Sequence, residues 1–307
     1  MRNSRKHWLV LIAYTVVAVV MTWPLVLNLT SAIPGVEGDA TSFVWAFGWA
    51  KSALMDLHVN PFRTDFVYYP LGGATQLMWA VSLIAFISIP LQYLLGLITT
   101  YNIFYLAATV LTGYGMFLLV EHVLWPAPAG QPKLPIDQSS LPPFATFLVA
   151  QFVLQNRILA ARRSPLAPFV AGLVFAFAPL RLGYGLAFLN LFNTQLIPFF
   201  VLFLIRATRE RSRRAAVLAG VFFGLNAYID FQIAAFLALF ALVYASYVLA
   251  SDWRRARGAL ASWATAALVA ATIAAPMVAV LANDFDAEGG NYIHVFPIKY
   301  SLDRSYD

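Results

Sequence analysis

Residues 231–250 read FQIAAFLALFALVYASYVLA, a run without a single charged side chain. A transmembrane helix needs about 20 predominantly apolar residues to cross about 30 Å of hydrocarbon. The run therefore predicts a membrane-spanning helix. The alternating pattern of barrel strands is absent elsewhere in the chain, so we expect helices to be the spanning elements throughout.

The composition of the whole chain supports this interpretation. The 307 residues are 61% hydrophobic and only 11% charged, with a mean hydropathy of +0.73, well above the roughly 45–50% apolar content of a soluble domain. We predict an all-α, polytopic transmembrane helical bundle that forms a single domain over residues 1–307. About nine spans are expected, at 8–27, 77–98, 101–122, 141–160, 166–181, 187–206, 214–229, 231–250 and 259–281.

The distribution of charge predicts the orientation of these spans. With a cytoplasmic N-terminus, the inner connectors hold 14 of the 20 Lys and Arg residues and two of the 14 acids, as the positive-inside rule requires. The first apolar segment is predicted to be a retained span, since no small-residue cleavage site follows it. Residues 141–160 open with two prolines and could instead lie along the interface. We keep them as a span because the basic connector after residue 206 would otherwise lie outside.

Several classes of function are disfavoured by missing residues and motifs. The chain has no cysteine, which excludes disulfides and thiolate sites. Its four histidines show no metal-ligand spacing. There is no Walker loop, dinucleotide fingerprint or nucleophile elbow. The net charge of +6 comes from short basic clusters between spans, so we expect no nucleic-acid partner.

The first outer segment, residues 28–76, contains the sequence PGVEGDATSFVWAFGWAKSAL at 34–54. Apolar residues at helical spacing predict a helix over 40–57 that lies in the outer interface, with Trp45 and Trp49 at headgroup depth. Asp39 would be the N-cap of this helix. In a second interpretation, the carboxylates of Glu37 and Asp39 take part in a reaction. The neighbouring glycine would let another backbone approach them closely.

The order of a first span, an outer loop that begins with an acidic motif, and an interfacial helix resembles the GT-C superfamily of membrane glycosyltransferases. Glu37-Gly38-Asp39 is similar to the modified DXD motif, often EXD, of these enzymes, and NPFRTDFVYYPLGG resembles the first loops of poorly characterised bacterial members. The resemblance implies transfer of a hexosyl or pentosyl group from a polyprenyl-phosphate donor to an unidentified acceptor, on the outer face of a bacterial inner membrane.

Roles for individual residues follow from that resemblance. Asp39 would be the general base and Glu37 a contact to the acceptor or to a metal. The two carboxylates could hold a divalent ion such as Mg or Mn, although no cofactor is required by the motif. Arg181 and Arg63 would bind the donor phosphate, since Arg recognises phosphate bidentately.

Each remaining candidate also has an ordinary structural interpretation. Arg181 could be a snorkelling anchor at the outer end of a span. Arg63 and Asp65 could pair on the surface, and Asp230 could be an exposed turn residue rather than a second site carboxylate. Polar side chains early in one span are expected to form interhelical hydrogen bonds; these are Asn190, Asn193 and Gln195.

Two other functions stay open. A transporter or flippase of lipid-linked sugars would act on the same lipids, but no internal repeat is found. A non-catalytic membrane subunit is equally compatible with the composition. The enzymes that the chain resembles generally have more spans and a longer C-terminal part. The tail at 282–307, predicted to be outside, could therefore belong to a fragment or to a shortened relative.

Overall fold

A computed structural model describes residues 2–35, 38–66, 73–74, 76–125 and 165–287. Nearly all of these are helical. The helices are α1 (Arg2–Met21), α2 (Asp39–Lys51), α3 (Gln76–Leu95), α4 (Leu97–Leu124), α5 (Leu166–Ala176), α6 (Pro179–Gly185), α7 (Leu189–Phe192), α8 (Leu196–Glu210), α9 (Arg213–Ala227), α10 (Phe231–Ser251) and α11 (Trp253–Ala287). Strands β1 (Arg63–Thr64) and β2 (Gly73–Ala74) form a short antiparallel ladder.

The all-α class is confirmed, and the apolar helices indicate a membrane-embedded protein. Among the described residues, four helices are long and apolar enough to cross a membrane, and a fifth crossing results if α5 and α6, bent by 45°, are one span. Helices α8 and α9 have 15 residues each, fewer than the roughly 20 that a crossing needs. The count of about nine spans is not confirmed. The predicted span at 141–160 lies outside the described residues, as does most of the tail.

Helices α1 and α4 pack antiparallel. Near the N-terminus of the chain, Lys6 donates a hydrogen bond to Glu121 at the end of α4. Beyond the other end of α1, the amide of Asn102 donates to the carbonyls of Leu29 and Ala32, at 2.9 and 2.7 Å. The nine-span pattern makes these helices the first and third crossings, which would run parallel. That pattern is therefore wrong for this pair, and Glu121 lies at the end of the bundle that holds the N-terminus.

Helix α3 explains the error, because both of its ends lie at the same end of the bundle. Near its start, the Ser82 hydroxyl donates to the carbonyl of Tyr228, just after α9, at 3.1 Å. At its end, Gly96 leads into α4 through a left-handed turn with φ of 80°. The predicted crossing at 77–98 is instead a helix packed on α2, where Gln92 donates to the carbonyl of Phe47 at 3.0 Å.

The remaining helices alternate in direction. Gly172 packs against Gly113, and Gly185 against Tyr105, so α5 and α6 run antiparallel to α4. Gly115 packs against Phe199, and the Thr112 hydroxyl lies 3.4 Å from that of Thr194, so α8 runs parallel to α4. Tight turns then lead back into α9 and from α10 into α11. This alternation gathers eight arginines at one end of the bundle, which we call the Arg-rich end: Arg206, Arg209, Arg211, Arg213, Arg214, Arg254, Arg255 and Arg257.

Close helix contacts in this half of the bundle depend on small residues. Gly220 and Gly224 are one turn apart on α9 and face α11. A Cβ at Gly220 would lie 2.5 Å from the carbonyl oxygen of Ala266, and one at Gly224 would lie 2.7 Å from Cβ of Ile273. Small residues at this spacing let helix backbones approach each other in membranes. At the opposite end of the bundle, α2 and α3 pack against the start of α4 around a separate apolar core. We call this the loop end.

Candidate functional site

The acidic loop leads into α2 at the loop end. Helix α2 begins at Asp39, and the N-cap is Gly38, whose φ of 104° suits glycine. The Thr41 hydroxyl donates to the carbonyl of Gly38 at 2.6 Å, and no side chain caps the helix. The prediction that Asp39 is the N-cap is therefore wrong by one position. Its carboxylate lies in the first turn, where the helix dipole favours negative charge.

The Asp39 side chain is exposed and forms no hydrogen bond or ion pair with the described part of the chain. A carboxylate with no partner at a helix start is available to a ligand. Its predicted companion Glu37 lies outside the described residues. Whether the two carboxylates share a metal or an acceptor stays a prediction.

The helix predicted over 40–57 is formed as α2 and a π-helical turn, Ser52–Asp56. Trp49 is only 6% exposed, and its indole donates to the carbonyl of Pro61 at 2.8 Å. Trp45 stacks on it with the ring centroids 5.8 Å apart. The Trp49 ring thus packs inside the loop end. The position of α2 relative to a membrane interface stays a prediction.

Arg181 is the buried cation of this region. It belongs to α6 and is 6% exposed. Its guanidinium donates to the carbonyl of Ala176 at 2.7 Å and to the hydroxyls of Thr194 and Thr112 at 2.9 and 3.4 Å. Its Cζ also lies 3.9 Å above the ring centroid of Phe192. These contacts hold the guanidinium between α4, α6 and the start of α8, so Arg181 is not a side chain that snorkels to an exposed surface.

No carboxylate of the described chain lies within ion-pair distance of Arg181. A buried cation is costly unless its charge is compensated. The carbonyl, the hydroxyls and the aromatic face supply partial compensation. An anionic group at this position would add the missing charge.

The acidic loop packs directly on the segment that follows Arg181. Gly35 has a φ of 126°, and any Cβ there would overlap the carbonyl of Leu186 and the side chain of Ala40. Only glycine fits this approach without strain. Because Leu186 follows α6 directly and Ala40 is the second residue of α2, the two predicted parts of the site are joined at the loop end.

Asp230 lies in the same region but not on the surface. It is 6% exposed, and its Oδ1 accepts a hydrogen bond from the backbone of Ile233 at 2.9 Å, which caps α10. Its Oδ2 accepts from the Asn190 amide at 2.6 Å. The prediction of a turn residue holds for its capping role and is wrong for its exposure.

The short helix α7 connects the two buried charges, since Phe192 underlies Arg181 and Asn190 holds Asp230. The expectation of interhelical hydrogen bonds is met by Asn190. In contrast, Asn193 donates to the carbonyl of Leu189 within α7, and Gln195 donates to Asn193 at 3.3 Å. The Asn190 Oδ1 and Gln195 Oε1 atoms are buried and accept no hydrogen bond from the described part of the chain, so acceptors remain in this region for a water or a ligand.

Arg63 and Asp65 do not join this group in any described contact. Both are exposed, and Arg63 belongs to β1, where it pairs in register with Ala74. No local pattern in the sequence identifies Thr112 and Thr194 as the hydroxyl partners of Arg181. A threonine near an apolar run indicates no specific role until the packing of α4 against α8 is known.

Within the described ranges, no three His, Cys, Asp or Glu side chains are grouped as metal ligands. The metal prediction rests on Glu37 and Asp39 together, so it stays untested. Comparison with known proteins adds no identity: no protein-family model, no curated protein and no solved structure matches this chain.

Proposed function

We propose that the protein is a GT-C-like glycosyltransferase that transfers a sugar from a polyprenyl-phosphate donor at the loop end. One observation carries the proposal: Arg181 is buried without a described carboxylate partner, and its segment packs against the loop that leads to Asp39. A buried cation and an exposed carboxylate, neither with an ion-pair partner in the described part of the chain, thus belong to segments that contact each other at Gly35 and Leu186. By the positive-inside rule, the Arg-rich end is cytoplasmic and the loop end faces outward from a bacterial inner membrane.

Arg181 has the capacity to bind a phosphate without losing its present contacts. A guanidinium carries five N–H donors, and three are used by the protein. The remaining donors can contact phosphate oxygens, and charge-assisted bonds of this kind are stronger than neutral ones. A bound phosphate would also compensate the buried charge.

The reaction then divides between two side chains. Asp39 takes the proton from the acceptor hydroxyl as that oxygen attacks the anomeric carbon of the sugar. The bond between this carbon and the phosphate oxygen breaks, and polyprenyl phosphate leaves with the electron pair. Arg181 stabilises the negative charge on the departing phosphate. If Glu37 and Asp39 hold a divalent ion, that ion supplies further stabilisation of the leaving group.

The base is tested by Asp39→Asn, because Asn keeps the size of the side chain but cannot accept a proton. The measurement is transfer of labelled sugar from crude polyprenyl-linked donors in membranes that contain each variant. We expect a loss of transfer of roughly 10²- to 10⁴-fold, with only a small decrease in melting temperature, because the interaction of an exposed carboxylate with the helix dipole contributes about 0.3–1 kcal/mol. Asp56→Asn is the matched control, since Asp56 is another exposed aspartate and lies in the π-helical turn that follows α2. Wild-type transfer by Asp39→Asn would remove the carboxylate from the mechanism.

The phosphate site is tested by Arg181→Lys and Arg181→Ala in binding of a polyprenyl-phosphate sugar to the purified protein. Lys keeps the charge and loses the planar fork, so we expect weaker binding for Lys and the weakest for Ala. A competing polyprenyl phosphate that lacks the sugar should displace the donor from the wild type. Equal affinity of all three proteins would exclude Arg181 from the site.

A flippase or transporter of lipid-linked sugars is the second candidate function, and the bent pair of helices favours it. Helices α5 and α6 meet at 45°, with Arg181 in the second segment, and discontinuous helices often form binding sites in transporters. Translocation of a labelled polyprenyl-linked sugar in proteoliposomes, without formation of a glycosylated product, would favour this function over transfer.

A further inference from the structure

A second feature lies far from the acidic loop: a cavity of about 490 Å³ between α8, α9, α10 and α11. Its lining is almost entirely apolar and consists mainly of alanines; the larger residues are Phe200, Leu204, Phe223, Leu242, Tyr244 and Trp263. Along α11 the lining extends from Trp263 to Ala274, which is about 16 Å at 1.5 Å per residue. This shape is long, narrow and suited to a hydrocarbon chain.

The Arg-rich end adjoins this cavity. The two connectors at this end, residues 206–214 and 252–257, contain eight arginines and two acids, Glu210 and Asp252. Arg206 pairs with Glu210 at 3.1 Å, and Arg255 pairs with Asp252 at 3.4 Å. The other six guanidiniums are exposed and have no ion-pair partner in the described part of the chain. Topology explains why basic residues collect here, but not why a chain-shaped cavity begins beside them.

Two arginines lie at the junction of the helices that form the cavity wall. Arg211 ends α8 in a left-handed conformation, directly after Glu210. Arg213 begins α9, seven residues before Gly220 of the cavity lining, and residues seven apart lie on the same side of a helix. The Arg211 guanidinium also lies directly over Gly258, near the start of α11. Positive charge therefore collects where α8 and α9 meet α11, within two turns of the cavity lining.

We propose that this end of the bundle binds an anionic glycerophospholipid, with its headgroup phosphate at Arg211 and Arg213 and one acyl chain in the cavity. Basic pockets between transmembrane helices are suited to such headgroups. An acyl chain in the cavity would add dispersion contacts with the apolar wall. The site is independent of the proposed sugar transfer, because it involves neither Asp39 nor Arg181. Failure of one proposal leaves the other unaffected.

The headgroup is tested by native mass spectrometry of the purified full chain titrated with phosphatidylglycerol or phosphatidylcholine of identical acyl chains. We expect phosphatidylglycerol to be retained preferentially. The double variant Arg211→Gln, Arg213→Gln should weaken its retention roughly tenfold. The control pair Arg209→Gln, Arg254→Gln removes the same charge from the same end and should leave retention near the wild type. Equal losses in both double variants would show that the lipid is attracted only by the overall positive charge of this end, and this would overturn the proposed site.

The position of the acyl chain in the cavity is tested by a matched pair of substitutions on α11. Ala267 lines the cavity and Ala264 does not, and both are exposed. Ala267→Phe should fill the cavity and abolish selective retention of phosphatidylglycerol, while Ala264→Phe should not. Ala241→Leu on α10 fills the cavity from the other wall and replaces Ala267→Phe if that variant does not fold. Unchanged retention in a folded, filled variant would overturn the proposal, and so would stronger retention of an isoprenoid phosphate than of phosphatidylglycerol.

Discussion

The two ends of the bundle carry charge in opposite ways. At the Arg-rich end, most guanidiniums are exposed, and the pairs they form are local, such as Arg206 with Glu210 four residues later. At the loop end, Arg181 and Asp230 are each 6% exposed and are held by hydroxyl, carbonyl and amide groups from distant parts of the chain. The Arg-rich end thus carries mainly exposed arginines, whereas the loop end holds two buried charges in addition to exposed ones such as Asp39.

This difference separates the exposed arginines, which set orientation, from Arg181 and Asp230, whose buried charges need compensation. An exposed charge costs little to place and contributes little to stability. A buried charge must be compensated, and removing one of its partners leaves an expensive unpaired group. Substitutions at the two ends test whether they differ in this way.

The largest effect concerns which residues share an end. The chain has no native cysteine, so single cysteines can be labelled with a membrane-impermeant reagent. Leu95→Cys should be labelled from the same side as Ser31→Cys, and Ser212→Cys only from the other side, because both ends of α3 lie at the loop end. If Leu95→Cys and Ser212→Cys were labelled from the same side, residues 77–98 would cross the membrane as the sequence predicts.

The junction between the acidic loop and α6 should be intolerant of a side chain. Gly35→Ala places a Cβ against the carbonyl of Leu186 at a φ of 126°, and backbone strain of this kind costs about 1–3 kcal/mol. We expect a lower melting temperature in detergent. Gly183→Ala on α6 is the control, since nothing lies within 4 Å of its Cβ position. Equal stability of the two variants would show that the loop does not pack on α6.

The buried carboxylate should matter through its two hydrogen bonds. Asp230→Ala removes the cap of α10, worth about 1 kcal/mol, and leaves the Asn190 amide without its acceptor, which costs about 1–3 kcal/mol if that amide stays buried. Asp230→Asn keeps the cap and should lose less stability. Thermal unfolding of both variants measures the difference, and identical losses would contradict a capping role.

The smallest effect is expected at the Arg-rich end. Glu210→Gln breaks the pair with Arg206, whose side chains are 41% and 34% exposed, and such pairs contribute less than about 1 kcal/mol. We expect a melting temperature close to that of the wild type, at low and at high salt. A loss as large as that of Asp230→Ala would show that the two ends do not differ in the way proposed.

The sequence by itself determined most of the helices and the location of the basic clusters. Residues 231–250 were predicted as a helix and form Phe231–Ser251, and the segment predicted at 101–122 lies within Leu97–Leu124. Hydropathy and length are local properties, so they can be read from a window of about 20 residues. The acidic loop was also selected from local features, since a carboxylate between a glycine and a helical pattern is visible in the sequence.

Only the tertiary structure decided how the helices are directed relative to one another and what surrounds the buried charges. The hydropathy of 77–98 is the same whether the segment crosses a membrane or packs as α3 on α2, and the distinction depends on contacts such as Ser82 with Tyr228, which are 146 residues apart. The partners of Arg181 likewise come from α4 and from the turn before α8. Contacts of this kind arise from the packing of distant segments, for which no local pattern of residues carries a signal.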